Sequence, residues 1–138
     1  MEKTLSLIKP DATSKQVMGK IIARFEQEGL SVVAMKMLRL SKERAAEFYA
    51  IHSHLPFFGE LVSFMSSGPI IALVLQGADG VKRNREIMGA TDPKKAEEGS
   101  LRKLYGTNVG ENAVHGSDSL ENAKKEIAFF FDLSEIYA

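Results

Sequence analysis

The stretch PIIALVLQG, Pro69 to Gly77, is the most apolar short run in the chain. Unbroken aliphatic residues between a proline and a glycine, over a length too short for a buried helix, predict a central β-strand. Upstream, FFGELVSFMSSG repeats apolar residues at Phe57, Leu61, Val62, Phe64 and Met65, a helical spacing that stops at Gly68. Before it, Ser41 is an N-cap with Glu43 in the first turn, opening a helix through Tyr49 that halts ahead of Pro56. The two short helices form a hairpin around HSHLP. Further back, LSVVAMKMLRL predicts a longer strand over Leu30 to Leu40, and Val17, Ile21, Ile22 and Phe25 mark a helix from Gln16 to Glu28 with Gly29 as its stop. KTLSLIKPD reads as a strand that Pro10 ends, leaving Lys9 at the strand terminus.

Downstream, ADGVKRNREIMG predicts a helix from Asp79 to Gly89, and the next segment, Ala90 to Asn112, holds charged turns without a long periodic pattern. An irregular excursion of that length in a compact domain points to function. NAVHGS is then a very short strand, and DSLENAKKEIAFFF a closing helix capped by Asp118 or Ser119 with Glu121 in its first turn. The order β-α-β-αα-β-α-β-α predicts an α/β (α+β) fold: a ferredoxin-like sandwich with a four-stranded, mostly antiparallel sheet and helices on one face. One domain, residues 1–138, is expected.

Composition narrows the function. Hydrophobic content of 44% with 26% charged residues is that of a folded globular chain rather than a disordered one. No apolar run reaches the roughly 18 residues of a membrane span, and MEKTLSLIKPDATS lacks the apolar core of a signal peptide, so a cytoplasmic protein is expected. The chain has no cysteine, which removes disulfides, thiolate metal sites and a cysteine nucleophile. Eighteen basic residues balance eighteen acidic ones, so strong nucleic-acid binding is not expected and any anion site must be a local cluster.

Familiar phosphate-binding motifs are absent. Gly19-Lys20 is followed by Ile21 and has Ser14 where a P-loop needs its first glycine; there is no G-x-G-x-x-G, H-R-D or D-F-G. The Ser-x-x-Lys at Ser100 to Lys103 carries little information. Of the three histidines, His52 and His54 fall in a polar turn and read as solvent-facing. His115 leaves a short strand just before Gly116, which permits a tight turn, and a hydroxyl-rich helix start. A helix N-terminus stabilises negative charge, so this ring reads either as a partner for phosphate or as a satisfied, half-buried histidine at a strand end. Lys9, Arg85 in KRNR, and Arg102 in the excursion could join it, although each alone also fits a solvated strand end or helix face.

NAVHGSDS around His115, with LIKPD at Lys9, PFF at Phe57, SGP before the central strand and GATDP in the excursion, resembles the nucleoside diphosphate kinase family in order and along nearly the whole chain. The resemblance implies transfer of the γ-phosphate of a nucleoside triphosphate to His115 and then to a nucleoside diphosphate, by ping-pong kinetics. It implies that Glu126 hydrogen-bonds the other ring nitrogen, that Tyr49 and Ser117 stand beside the histidine, and that Lys9, Arg85, Thr91, Arg102 and Asn112 surround the phosphates and sugar. Phe57 and Val109 would sandwich the base, with Leu61 lining the same slot, a contact that does not read the base edge. Mg²⁺ is expected to arrive on the nucleotide phosphates rather than on protein side chains. A homo-oligomer of four or six chains is also implied. Three departures stand out: Leu55 where the family commonly has arginine, Lys103-Leu104-Tyr105 after Arg102, and Glu111 where some members carry arginine. The alternatives are a histidine phosphotransferase acting on protein acceptors and a non-catalytic nucleotide-binding regulator.

Overall fold

The computed structural model describes residues 1–138. Four strands, β1 (Glu2–Ile8), β2 (Ser31–Leu38), β3 (Ile70–Gly77) and β4 (Val114–Gly116), form one sheet in the order β2-β3-β1-β4. Each hydrogen-bonded neighbour is antiparallel. The predicted central run is indeed an inner strand, paired with β1 from Glu2↔Gly77 to Ile8↔Ile71 and with β2 through a register shift between Val32 and Ala34. The ferredoxin-like sandwich expected from the element order is what forms.

The helices cover both faces of that sheet, which corrects the expectation of one. Alternate residues of β3 go to opposite sides. Ile71, Leu73 and Leu75 pack with Ile21 and Phe25 of α2 (Met18–Gln27) and with Ile87 and Met88 of α5 (Gly80–Met88). Ile70, Ala72 and Val74 pack with Ala45 of α3 (Lys42–Phe48), Met65 of α4 (Phe58–Met65) and Phe130 of α7 (Leu120–Phe130). An unbroken apolar strand is the signature of a strand buried on both sides, since a half-exposed strand alternates with polar residues.

Two short helices add to the expected elements. Pro10 ends β1 as predicted, but it also occupies the first turn of α1 (Pro10–Ser14), where a missing N–H costs nothing. In the excursion, the Ser100 hydroxyl accepts from Lys103 N and starts α6 (Leu101–Tyr105). The expected caps Ser41 and Ser119 accept from Arg44 N and Asn122 N. Gly89 closes α5 at φ +83°, a conformation glycine adopts without cost. Gly116 is not in that conformation. A Cβ there would lie 2.4 Å from Asn84 Nδ2, so what this glycine provides is room for α5 to close against β4 rather than a tight turn.

Candidate active site

Register places the histidine. His115 pairs directly with Leu7, and cross-strand partners point to the same face. Leu7 belongs to the cluster that contains Tyr49 and Phe130, so the imidazole emerges on the side of α3 and α7. Lys9, two residues beyond Leu7 in extended backbone, continues the alternation toward that side.

Around the ring the contacts are specific. His115 Nε2 lies 2.9 Å from Glu126 Oε1, on the second turn of α7, and the Ser117 hydroxyl donates to the same oxygen at 2.8 Å. Phe48 and Tyr49 present ring edges to the imidazole at centroid distances of 5.4 and 6.1 Å. The His115 and Glu126 side chains are 22% and 20% exposed, so the pair is sheltered yet reachable. Glu126, Phe48 and Tyr49 thus fix the ring's plane, Ser117 steadies the carboxylate, and the carboxylate occupies one of the ring's two nitrogens. The Tyr49 hydroxyl is buried without a hydrogen-bond partner, and burial, followed by the nearby Glu126 charge, holds its proton more tightly than usual.

A cleft of about 790 Å³ opens at His115, and residues from well-separated segments meet in it. Lys9 is 7% exposed; its Nζ donates to Asn112 Oδ1 at 2.7 Å, and Asn112 Nδ2 donates to the Thr91 carbonyl at 3.0 Å. Arg102 is anchored by its Nη1 to Gly89 O and its Nη2 to Val114 O, both 3.0 Å, while its buried Nε has no partner. Burial, then the neighbouring Arg102 charge, lowers the Lys9 amine to about 8 against an opposing pull from Asp11. Burial, then Arg85, lowers Arg102 to about 10. Cations crowded together out of water are an unfavourable arrangement that an anion would relieve.

The backbone below the histidine is strained. Ala113 has φ +75°, and Val114 N donates to Asn112 O at 2.9 Å, which closes a γ-turn of the rare kind around a residue with a side chain. Phe57 and Val109, both about half exposed, line the same cleft, as does Leu61.

The family model described as nucleoside diphosphate kinase matches residues 2–136. The chain belongs to the nucleoside diphosphate kinase family. It is 60% identical over 136 residues to a nucleoside diphosphate kinase of Persephonella marina, covering 99% of this chain and 97% of that one. The Wolinella succinogenes enzyme is also 60% identical, with 99% of both chains covered. Among solved structures, the Aquifex aeolicus nucleoside diphosphate kinase superposes with a TM-score of 0.96 at 51% identity over 98% of both chains. The Halobacterium salinarum enzyme in complex with CDP gives a TM-score of 0.95 at 42% identity over 99% of this chain and 91% of that one. Full-length likeness of this kind does not favour the protein-directed phosphotransferase or the silent regulator.

In the kinase, the structure brings Lys9, Tyr49, Phe57, Leu61, Arg85, Thr91, Arg102, Val109, Asn112 and His115 to one cleft, with Ser117 and Glu126 behind the ring. His52 corrects the expectation of a solvent-facing side chain: it is half-buried in the cleft wall, its ring 6.5 Å from that of Tyr49, whereas His54 is exposed. Phe48 and Asp11 were not singled out by sequence. Phe48 is one helical step before Tyr49, and Asp11 sits in LIKPD; only tertiary contact shows what either touches.

Proposed function

We propose that His115 Nδ1 is the phosphate acceptor in nucleoside diphosphate kinase turnover. The observation that carries this reading is the contact between Nε2 and the Glu126 carboxylate, which leaves Nδ1 as the ring nitrogen with a free lone pair. With the hydrogen on Nε2, the ring donates to Glu126, and Ser117 steadies the same carboxylate oxygen. Nδ1 attacks the γ-phosphorus, the N–P bond forms, the bond from phosphorus to the β-phosphate bridging oxygen breaks, and the nucleoside diphosphate leaves with that oxygen. The ring becomes cationic, and Glu126 stabilises it. A β-phosphate oxygen of a second nucleoside diphosphate then attacks the same phosphorus and releases neutral imidazole. Splitting one displacement in two accounts for ping-pong order.

Lys9, Arg85 and Arg102 supply positive charge where the transferring oxygens concentrate negative charge, and Asn112 holds Lys9 in place. Thr91 and Asn112 contact phosphates and sugar. Phe57 and Val109 clasp the base through its faces, with Leu61 beneath, so all common nucleotides are accepted. No group of three His, Cys, Asp or Glu side chains is placed to hold a metal. Mg²⁺ would be carried by the phosphate oxygens and water of a nucleotide bound beside Lys9, Arg85 and Arg102, where it would supply further charge neutralisation. No helix is long and apolar enough to cross a membrane, and we assign the kinase to the cytoplasm. Edge strand β2, with Met35 and Met37 more than half exposed, supports assembly into a homo-oligomer of four or six chains. Near-zero net charge supports nucleotides rather than nucleic acid as partners.

Incubation with γ-labelled ATP tests the reading. An acid-labile, alkali-stable phosphoprotein that loses its label to GDP is expected. Label that survives the GDP chase would refute exchange through the protein.

A further inference from the structure

We infer that Asp11 is a positioning residue for phosphoryl transfer: its buried carboxylate clamps the strained turn at Ala113 and thereby sets where the Lys9–Asn112 pair and His115 stand. The inference rests on His115 being the phosphate acceptor.

Asp11 lies in the first turn of α1, which is only five residues long. Its side chain serves another element. Asp11 Oδ2 accepts from Ala113 N at 3.0 Å, a contact between residues 102 apart in the chain, and Asp11 is 7% exposed. Burial of a carboxylate with a single strong partner is costly, and its other oxygen, Oδ1, has no partner at all. Burial accordingly raises its affinity for a proton, against the Ala113 N–H and the Lys9 charge. A carboxylate kept in such a place implies that the one bond it makes matters.

That bond meets the chain at its strained point. Ala113 sits at φ +75° as the centre of the γ-turn, two residues before His115 and one after Asn112. The corner that follows β1 grips this turn at three points: Lys9 N donates to Ala113 O at 2.8 Å, Lys9 Nζ to Asn112 Oδ1 at 2.7 Å, and Asp11 receives Ala113 N. A residue with a Cβ relaxes from positive φ unless its surroundings hold it there. Without the carboxylate, the Ala113 amide loses its only buried acceptor, and relaxation of the turn carries the Asn112 side chain away from Lys9 and shifts Val114 and His115 against β1. Small misplacements of reacting groups are enough to slow catalysis markedly.

The test is the single-turnover rate of His115 labelling by γ-labelled ATP, measured on the full chain with Asp11→Ala in two backgrounds. In the parent background D11A is expected to slow labelling about tenfold or more. In an Ala113→Gly background, where the turn needs no restraint, the same substitution should cost no more than about threefold. A structural role without positioning would give the same factor in both backgrounds, and that equality overturns the inference. Asp11→Asn keeps an oxygen that accepts from Ala113 N, so its rate should stay within about threefold of the parent. D11N also decides the matter if D11A does not fold, since a tenfold or larger loss in D11N would show that the acceptor is not what counts. Normal labelling of the parent with D11A unimpaired overturns this inference alone; no labelling of the parent overturns the histidine reading and this one with it.

Discussion

Replacing Lys9 by methionine should make the kinase more stable and nearly inactive. The Lys9 amine is lowered from 10.5 to about 8, chiefly by burial and then by Arg102. At about 1.4 kcal/mol per pH unit, holding it protonated at pH 7 costs the folded state roughly 3 kcal/mol. The sign follows from proton counts: between pH 8 and 10.5 the unfolded chain binds more protons at this lysine than the folded one, so the penalty is complete below pH 8 and is relieved as pH rises through that window. Methionine matches the stem and removes the charge, but it strips Asn112 Oδ1 of its donor, at a cost of about 1–3 kcal/mol. The net gain at pH 7 is therefore about 1 kcal/mol, or a few degrees in melting temperature. Denaturant unfolding at pH 7 and pH 9.5 measures it. K9M should be the more stable variant at pH 7, with an advantage that shrinks or reverses at pH 9.5, while turnover falls at least a hundredfold. A K9M destabilised equally at both pH values would refute the burial argument. Retained turnover would remove Lys9 from the phosphate site.

Glu126→Gln keeps the shape of the contact to His115 Nε2 and removes the charge that balances the cationic ring. Single-turnover labelling should slow about tenfold to a hundredfold, with little change in nucleotide affinity; an unchanged rate would leave Glu126 a structural partner only. Phe57→Ala removes the exposed aromatic wall of the base slot. Equilibrium binding of ADP, GDP and CDP should weaken together by about tenfold or more, as expected for lost stacking, and discrimination among the bases emerging in F57A would contradict a slot that ignores base edges.

How much of this could be read from the chain depends on whether the signal is local. The Pro69 to Gly77 run, the serine caps at positions 41 and 119 and the glycine stop at 89 act through their immediate neighbours, and each element formed where its residues predict. Coverage of both sheet faces was written in the same run, because Ile70 and Ile71 cannot both be buried against a single layer. Pro10 was ambiguous in principle: the ring that ends a strand ladder equally suits the first turn of a helix. The five residues of α6 are too few for periodicity to register. In the site, His115 and its motif stand out by sequence, but Lys9 reaches Asn112 across the chain, Asn112 reaches the Thr91 carbonyl, and Arg102 is held by the Gly89 and Val114 carbonyls, contacts that only the fold creates. His52 looked solvent-facing because its neighbours are polar, although the hairpin folds it into the cleft wall. Asp11 and Ala113 were invisible for a similar reason. A positive φ at alanine is imposed from outside, so nothing in the local sequence announces it.

The central claim is that Glu126 holds one nitrogen of His115 so that the other receives phosphate. Phosphorus and nitrogen NMR of the kinase labelled by ATP assigns the bond directly: a single phosphohistidine at position 115 with phosphorus on Nδ1 is expected, and phosphorus on Nε2 or on another residue would contradict it.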